Sequence, residues 1–373
     1  MRSRKRSRLI STQVQSAEVL EARTLLSATV LTAQQASVVS KLSATPNLTA
    51  STVPANGDQN PYGVAFVPAG IVPGGKLHAG SILVSNFNDA TTATGGNLQG
   101  TGTTIVEIAP NGQQTLFFQG KNLGLTTALG VLKDGFVLVG NVPTTDGTFS
   151  TIKQGSLLVL NKNGQQVANL TNSVKLDGPW DLTVVDEGSL AFVFVSNVLN
   201  GTVTRLDLAV TPSTVKVLTS TTIASGFLHR SDPNALVVGP TGLAFNLLTD
   251  TLFVASTGDN AIYSIPDALF RLTSAGKGSL VFSDPAVLRG PLGLVLLPDG
   301  NLIAANGDAV NADPAHPSEL VEFTPTGKFV GQTSIDSTEG AAFGIAAEIQ
   351  GDDLIFAAVN DVTNSLEVFD IEL

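Results

Sequence analysis

The chain of 373 residues has no cysteine, only 14% charged residues, 6% aromatic residues and three histidines. Missing cysteine excludes a disulfide-stapled module, thiolate catalysis, and iron–sulfur or structural zinc sites of the usual kinds. No apolar run approaches the roughly 18 residues of a membrane-spanning helix. Scarce charge beside 43% hydrophobic content excludes a disordered chain, and the 37 glycines exclude a coiled coil. Helical periodicity is almost absent, with a hint of one turn over 267–272. What remains is a globular chain long enough for a large core.

Basic residues are scarce everywhere but at the start. Residues 1–30 hold six basic and two acidic side chains, a net +4, while the rest holds 14 and 29, a net −15. An acidic body argues against a nucleic-acid partner and against an anionic membrane surface. The basic start is followed by a short, interrupted apolar patch at Leu25 and Leu26, a poor match to a secretory signal with its roughly 7–15 apolar residues. The segment LEARTLLSA at 20–28 resembles the LEPR-XLL segment of many planctomycete surface and exported proteins, departing from it at Ala22. That resemblance implies export to the cell surface or exterior; a basic tail on a cytoplasmic protein is the competing reading. Residues 31–47, rich in Ala, Ser, Thr and Gln, read as a linker.

From residue 60 the chain repeats itself. NPYGVAF at 60–66, TALGVL at 127–132, GPWDLTV at 178–184, GPTGLAF at 239–245, GPLGLVL at 290–296 and AAFGIA at 341–346 align at Gly63, Gly130, Asp181, Gly242, Gly293 and Gly344, with spacings of 67, 51, 61, 51 and 51. In most units a turn leads to an apolar strand ending near Asn, then to a third strand with period-two alternation and, in several, to a fourth. Four short antiparallel strands per unit, six times over, predict an all-β, six-bladed β-propeller over 48–373. A pair of β-sandwiches would not need a Pro-x-Gly strand start in every unit. The last unit ends after three strands, so residues 48–53 are expected to supply its fourth and close the ring, removing open edges.

The Pro-x-Gly strand start, followed by a turn and a strand ending in Ser-Asn or Gly-Asn, resembles the NHL and SMP-30/gluconolactonase-like propellers. It also resembles uncharacterised exported bacterial propellers that open with an NPYG or NPWG motif. In metal-dependent lactonases of the SMP-30 group, the resemblance implies, the residue between Pro and Gly is Asn or Asp and holds a divalent cation. Here those positions are Tyr62, Leu129, Trp180, Thr241, Leu292 and Phe343, with Asp181 alone one residue along. Oxygen ligands for a hard cation are missing from that ring, so no metal or other cofactor is expected there. These residues are expected at the mouth of the central channel, as an apolar stacking surface for a ligand or as packing between blades.

The loops after the second strands form another candidate face. Asn86, Asn141, Asn197, Asn306 and Asn360 recur at strand ends, with Asp259 in the fourth unit; such residues bind ligands or cap exposed backbone. Asn306, Asp308, Asn311 and Asp313 offer oxygens to Ca²⁺ but not at EF-hand spacing. Ser231, His229 and Asp232 are too close in sequence to converge as a triad. No nucleophile elbow, phosphate loop or His-Glu-x-x-His helix occurs. The expectation is a monomeric, exported binding or scaffold module for a protein, peptide or glycan, without catalytic residues; the alternative is an enzyme of lactonase or lyase type with a degenerate metal site.

Overall fold

Each repeat folds as four short antiparallel strands because turn residues interrupt apolar runs too short for helices. The structure, a computed structural model, describes residues 37–42, 45–90, 98–121, 123–307, 310–311, 313–317, 319–338 and 341–373. The basic segment 1–30, with its LEPR-XLL-like stretch, lies outside the described residues, as does Asp308.

Six four-stranded blades follow one another. Blade 1 comprises Gln59–Phe66, Ile82–Asn88, Thr104–Ile108 and Gln114–Gln119; blade 2, Leu129–Val131, Val137–Asn141, Ser156–Leu160 and Gln166–Leu170. Blade 3 is Pro179–Asp186, Leu190–Asn197, Thr202–Thr211 and Thr214–Ser225; blade 4, Pro240–Asn246, Thr251–Ser256, Ala261–Pro266 and Ser279–Phe282. Blade 5 is Pro291–Leu296, Leu302–Asn306, Glu319–Phe323 and Phe329–Ser334. Blade 6 takes Ala342–Gln350, Asp353–Asn360 and Ser365–Glu372 from the end of the chain and Leu48–Ser51 from its beginning, with Leu48 opposite Val368 and Ser51 opposite Ser365. The ring therefore closes as the three-strand count of the last repeat requires.

The long spacings of the repeat are insertions. Sixty-one residues separate Asp181 from Gly242 because a hairpin, Arg230–Asp232 with Leu236–Val238, precedes blade 4. Within the stretch read as linker, Val38–Leu42 is a short helix whose Val38, Val39 and Leu42 are buried between blades 5 and 6. Its spacing of three apolar side chains gives it one packing face. Buried Glu322 accepts hydrogen bonds from the Ser37 hydroxyl at 2.8 Å and the Val39 N–H at 3.0 Å, tying this strap to blade 5.

Core side chains lie between blades. Six apolar clusters each join two consecutive blades, including the closing pair, where Ile82, Val84 and Val106 of blade 1 meet Ala357, Val359 and Leu366 of blade 6. The innermost strands are edge strands facing the channel, which is where proline, lacking an N–H, is tolerated. In five blades the ladder breaks just after this start, between Pro61 and Val64, Pro179 and Asp181, Pro240 and Leu243, Pro291 and Leu294, and Ala342 and Ile345. Each such bulge turns the residue after proline, or after Ala342, out of the ladder toward the axis.

The glycine that follows permits close approach. A side chain at Gly63 would strike the Thr127 carbonyl, at Gly242 that of Leu292, at Gly293 that of Phe343, and at Gly344 that of Tyr62, always in the next blade. Gly344→Ala is accordingly expected to lower stability by about 2 kcal/mol or more, the cost of overpacking where only backbone can give way. Urea unfolding measures it, and an unchanged midpoint would show that the seam widens freely.

Candidate functional site

The bulges gather their residues at one end of the channel. Tyr62, Trp180, Thr241, Leu292 and Phe343 line a cavity of about 480 Å³ that opens on the face where the second strands end. Below it the channel narrows to a waist of about 30 Å³, room for a water or two, bounded by Tyr62, Leu129, Trp180, Asp181 and Leu292 among others. A lower chamber of about 260 Å³ follows, with Asp181 in its wall. Leu129 lines the waist and the lower chamber and not the mouth, because blade 2 has a three-residue inner strand without a bulge.

Aromatic rings make the floor of the mouth. Tyr62 stacks between Phe87 and Phe343, with centroids 5.6 and 5.2 Å away, and meets Trp180 edge-on at 5.8 Å. The Trp180 indole N–H donates to the Tyr62 hydroxyl oxygen at 2.9 Å. Burial raises the Tyr62 phenol well above its ordinary value, with the Asp181 charge adding to this and the Trp180 bond opposing it. The hydroxyl stays protonated at any physiological pH. Since indole only donates, the Tyr62 O–H proton remains to be given, and it meets no acceptor among the described residues. Around this floor stand Asn60, Gln99, Asn234, Thr241, Thr257 and Asp361.

Asp181 occupies the place that glycine holds in the other blades. Its carboxylate accepts the Leu182 N–H at 2.8 Å and, across the seam, the Leu243 N–H of blade 4 at 2.9 Å. Burial lifts its pKa from 3.8 to about 7 against the lowering effect of those two bonds. Asp181 is half-buried and lines both the water-wide waist and the lower chamber.

The strand-end asparagines are held inside the fold. Asn86, Asn141, Asn197, Asn306 and Asn360 are buried, and their amides hold blade connections. Asn86 donates to the Thr52 carbonyl, Asn141 accepts from Gly124 N–H, Asn197 from Asp177 N–H, Asn306 from Arg289 N–H, and Asn360 donates to Asp336. In each case the partner lies on the segment entering that same blade, so the repetition has a structural cause. Asp259, where burial alone would raise the pKa, is held below its ordinary value by hydrogen bonds from the Lys277 ammonium at 2.6 Å, the Leu228 N–H and the Ser256 hydroxyl. Of the four residues offering oxygens to Ca²⁺, Asp313 pairs with Arg289 at 2.8 Å and His316 at 3.0 Å, and the Asn306 amide is fully engaged by backbone and Glu319. No group of three His, Cys, Asp or Glu able to hold a metal occurs among the described residues.

Several mouth residues escaped the sequence reading: Phe87, Gly307 and Asp361 line the cavity, and Val142 and Val198 pack beside the aromatic floor. All five directly follow a recurring asparagine. Period-two alternation turns the residue after each buried amide toward the mouth, a signal present in the sequence. Asn234, Ala235 and Val237 come from the inserted hairpin, which no repeat could reveal.

No protein-family model matches the chain, and no curated protein matches it in sequence. Solved structures do match in fold. The chain is similar to a gluconolactonase of Xanthomonas campestris at 14% identity and TM-score 0.51, over 88% of this chain and 96% of that one. It is similar to a luciferin-regenerating enzyme at 10% and 0.52, over 87% and 95%, and to virginiamycin B lyase of Staphylococcus aureus at 14% and 0.47, over 87% and 88%. What this chain shares with the gluconolactonase and the luciferin-regenerating enzyme is the fold. No helix among the described residues is long and apolar enough to cross a membrane.

Asn197→Ala removes an acceptor for Asp177 N–H and donors to Thr202 and Thr204. It is expected to cost about 2–3 kcal/mol by leaving buried partners unpaired. Chemical unfolding reads this; a loss under about 0.5 kcal/mol would return the asparagine to the list of surface residues.

Proposed function

We propose that the protein is a binding module whose channel mouth takes a small, uncharged, oxygen-bearing ring, such as the end of a glycan. The observation that carries this reading is the unused Tyr62 O–H at the floor of the aromatic cavity. A ligand seated there must bring an oxygen acceptor, and the side-chain amides of Asn60, Gln99 and Asn234 at the rim suit further hydroxyl groups. Phe343 and Leu292 keep part of their surface open for the apolar face of a sugar ring. The cavity volume lies within the roughly 300–1,000 Å³ of small-ligand pockets, which favours a terminal group over a folded partner.

Trp180 is the one tryptophan of the chain, so its emission reports on the mouth alone. Titration with a panel of glucose, galactose, mannose, N-acetylglucosamine and their disaccharides is expected to give a saturable emission change and a raised melting temperature with one class. Tyr62→Phe should weaken that binding about tenfold, the worth of one buried hydrogen bond. Silence across the panel with the wild-type protein would remove the glycan reading.

Export is part of the proposal, supported by the basic start and the 20–28 segment. Fractionation of cells that make the protein should place it at the surface or in the medium; retention in the cytoplasm would overturn this. A second reading, an enzyme of lactonase or lyase type, draws on the activity named for the gluconolactonase neighbour and on Asp181, the carboxyl at the channel waist. The ring around Asp181 offers no further carboxylate or amide for a metal. Turnover of gluconolactone above the uncatalysed rate, with divalent ions supplied, would displace the binding reading.

A further inference from the structure

Five inner strands carry glycine where blade 3 carries Asp181. At four of the other seams backbone closes on backbone, and at this one a carboxylate bridges Leu243 and Leu182. The bridge stands at the narrowest point of the channel, between the mouth and the lower chamber. Its own residue follows Trp180 directly, and its charge is felt at Tyr62. Channel and aromatic floor thus share one ionisable group.

We infer that Asp181 is a proton-operated plug: neutral, it seals the waist and leaves the aromatic floor undisturbed; ionised, it draws water into the waist and polarises the Tyr62–Trp180 pair. An ionised carboxylate demands hydration beyond its two backbone N–H bonds; Asp181 is half-buried, with room for one or two waters in the waist on one side and the lower chamber on the other. Negative charge beside Tyr62 also makes its O–H a poorer donor, so protonation favours an acceptor-bearing ligand. That last consequence rests on the binding reading; the plug does not.

Few other groups confuse the titration. Of the strands packed around the waist, the one from blade 1 brings Tyr62, which stays protonated, and those from blades 2, 4 and 5 bring no ionisable side chain. Asp186 and Glu348 lie four or five residues further along their strands, roughly 13–17 Å away, and line neither the waist nor the lower chamber. The three histidines are on loops and persist in every variant below.

The sign of the linkage is set by the raised pKa, about 7 in the folded state against an ordinary 3.8. Asp181 stabilises the fold below the unfolded value, and that contribution is lost as pH rises through about 7. The full-length, ligand-free protein is to be followed by Trp180 emission and acrylamide quenching between about pH 5 and about pH 9. A single transition with its midpoint near 7 is expected. Asp181→Gly, which restores the glycine of the other blades, should abolish it and change the melting-temperature difference from wild type across the same window. Asp181→Asn provides a second uncharged variant should the glycine form fail to fold. A flat wild-type profile, or a transition that survives in either folded variant, overturns the inference. Since no sugar is present, the outcome is independent of the glycan panel.

Discussion

The ring depends on how closely its inner strands can approach the axis. A β-strand normally keeps its neighbours apart by its side chains, and six strands around a channel would otherwise leave a wide bore. Glycine at the bulge lets the backbone of one blade meet the carbonyl of the next, as Gly344 does with Tyr62. That contact draws the blades together tightly enough for six inter-blade clusters to pack, and it reduces the axis to a waist of about 30 Å³. The mouth, Asp181 and the lower chamber lie above, at and below that constriction.

The same bulge builds the mouth. By breaking the ladder after Pro61, Pro179 and Ala342 it sends Tyr62, Trp180 and Phe343 out of the sheet, and the closing of the ring brings blades 1, 3 and 6 near enough for their rings to meet. Ring closure is itself a joint effort of both ends of the chain. Leu48–Ser51 completes blade 6 through backbone pairing, and the helix Val38–Leu42 fills the groove beside it. Without cysteine, these contacts and the inter-blade cores carry the whole burden of holding the body together.

Asparagine near the end of five of the six second strands shows how a regular pattern can have a structural cause. Asn197 and Asn306 look like ligand-facing loop residues when only their recurrence is known. Their amides are instead the pins that fasten each blade to the segment leading into it, which is why the unit repeats them. The residue after each pin was the better guide to the mouth, as Phe87 and Asp361 illustrate. Asp259 differs because its partners, Lys277 and the Leu228 backbone, come from the fourth strand side and the hairpin side of blade 4.

Local regularity was enough to read the architecture: the Pro-x-Gly spacing, the strand count and the missing fourth strand of the last repeat all follow from short-range pattern, and so does closure by residues near 48–53. Five of the positions at the mouth were legible as well, because a bulge places its residue by backbone geometry alone, whereas Leu129, on a strand without a bulge, lies lower in the channel. What the tertiary structure decided was the partner of each group. Tyr62 and Trp180 lie 118 residues apart, and their hydrogen bond exists only because blades 1 and 3, on either side of blade 2, both reach in to the axis of the closed ring. Asp181 likewise reads as an isolated acid until Leu243 and the waist surround it. Chemistry at this site comes from desolvation and through-space contact, which depend on distances in the closed ring and not on order along the chain.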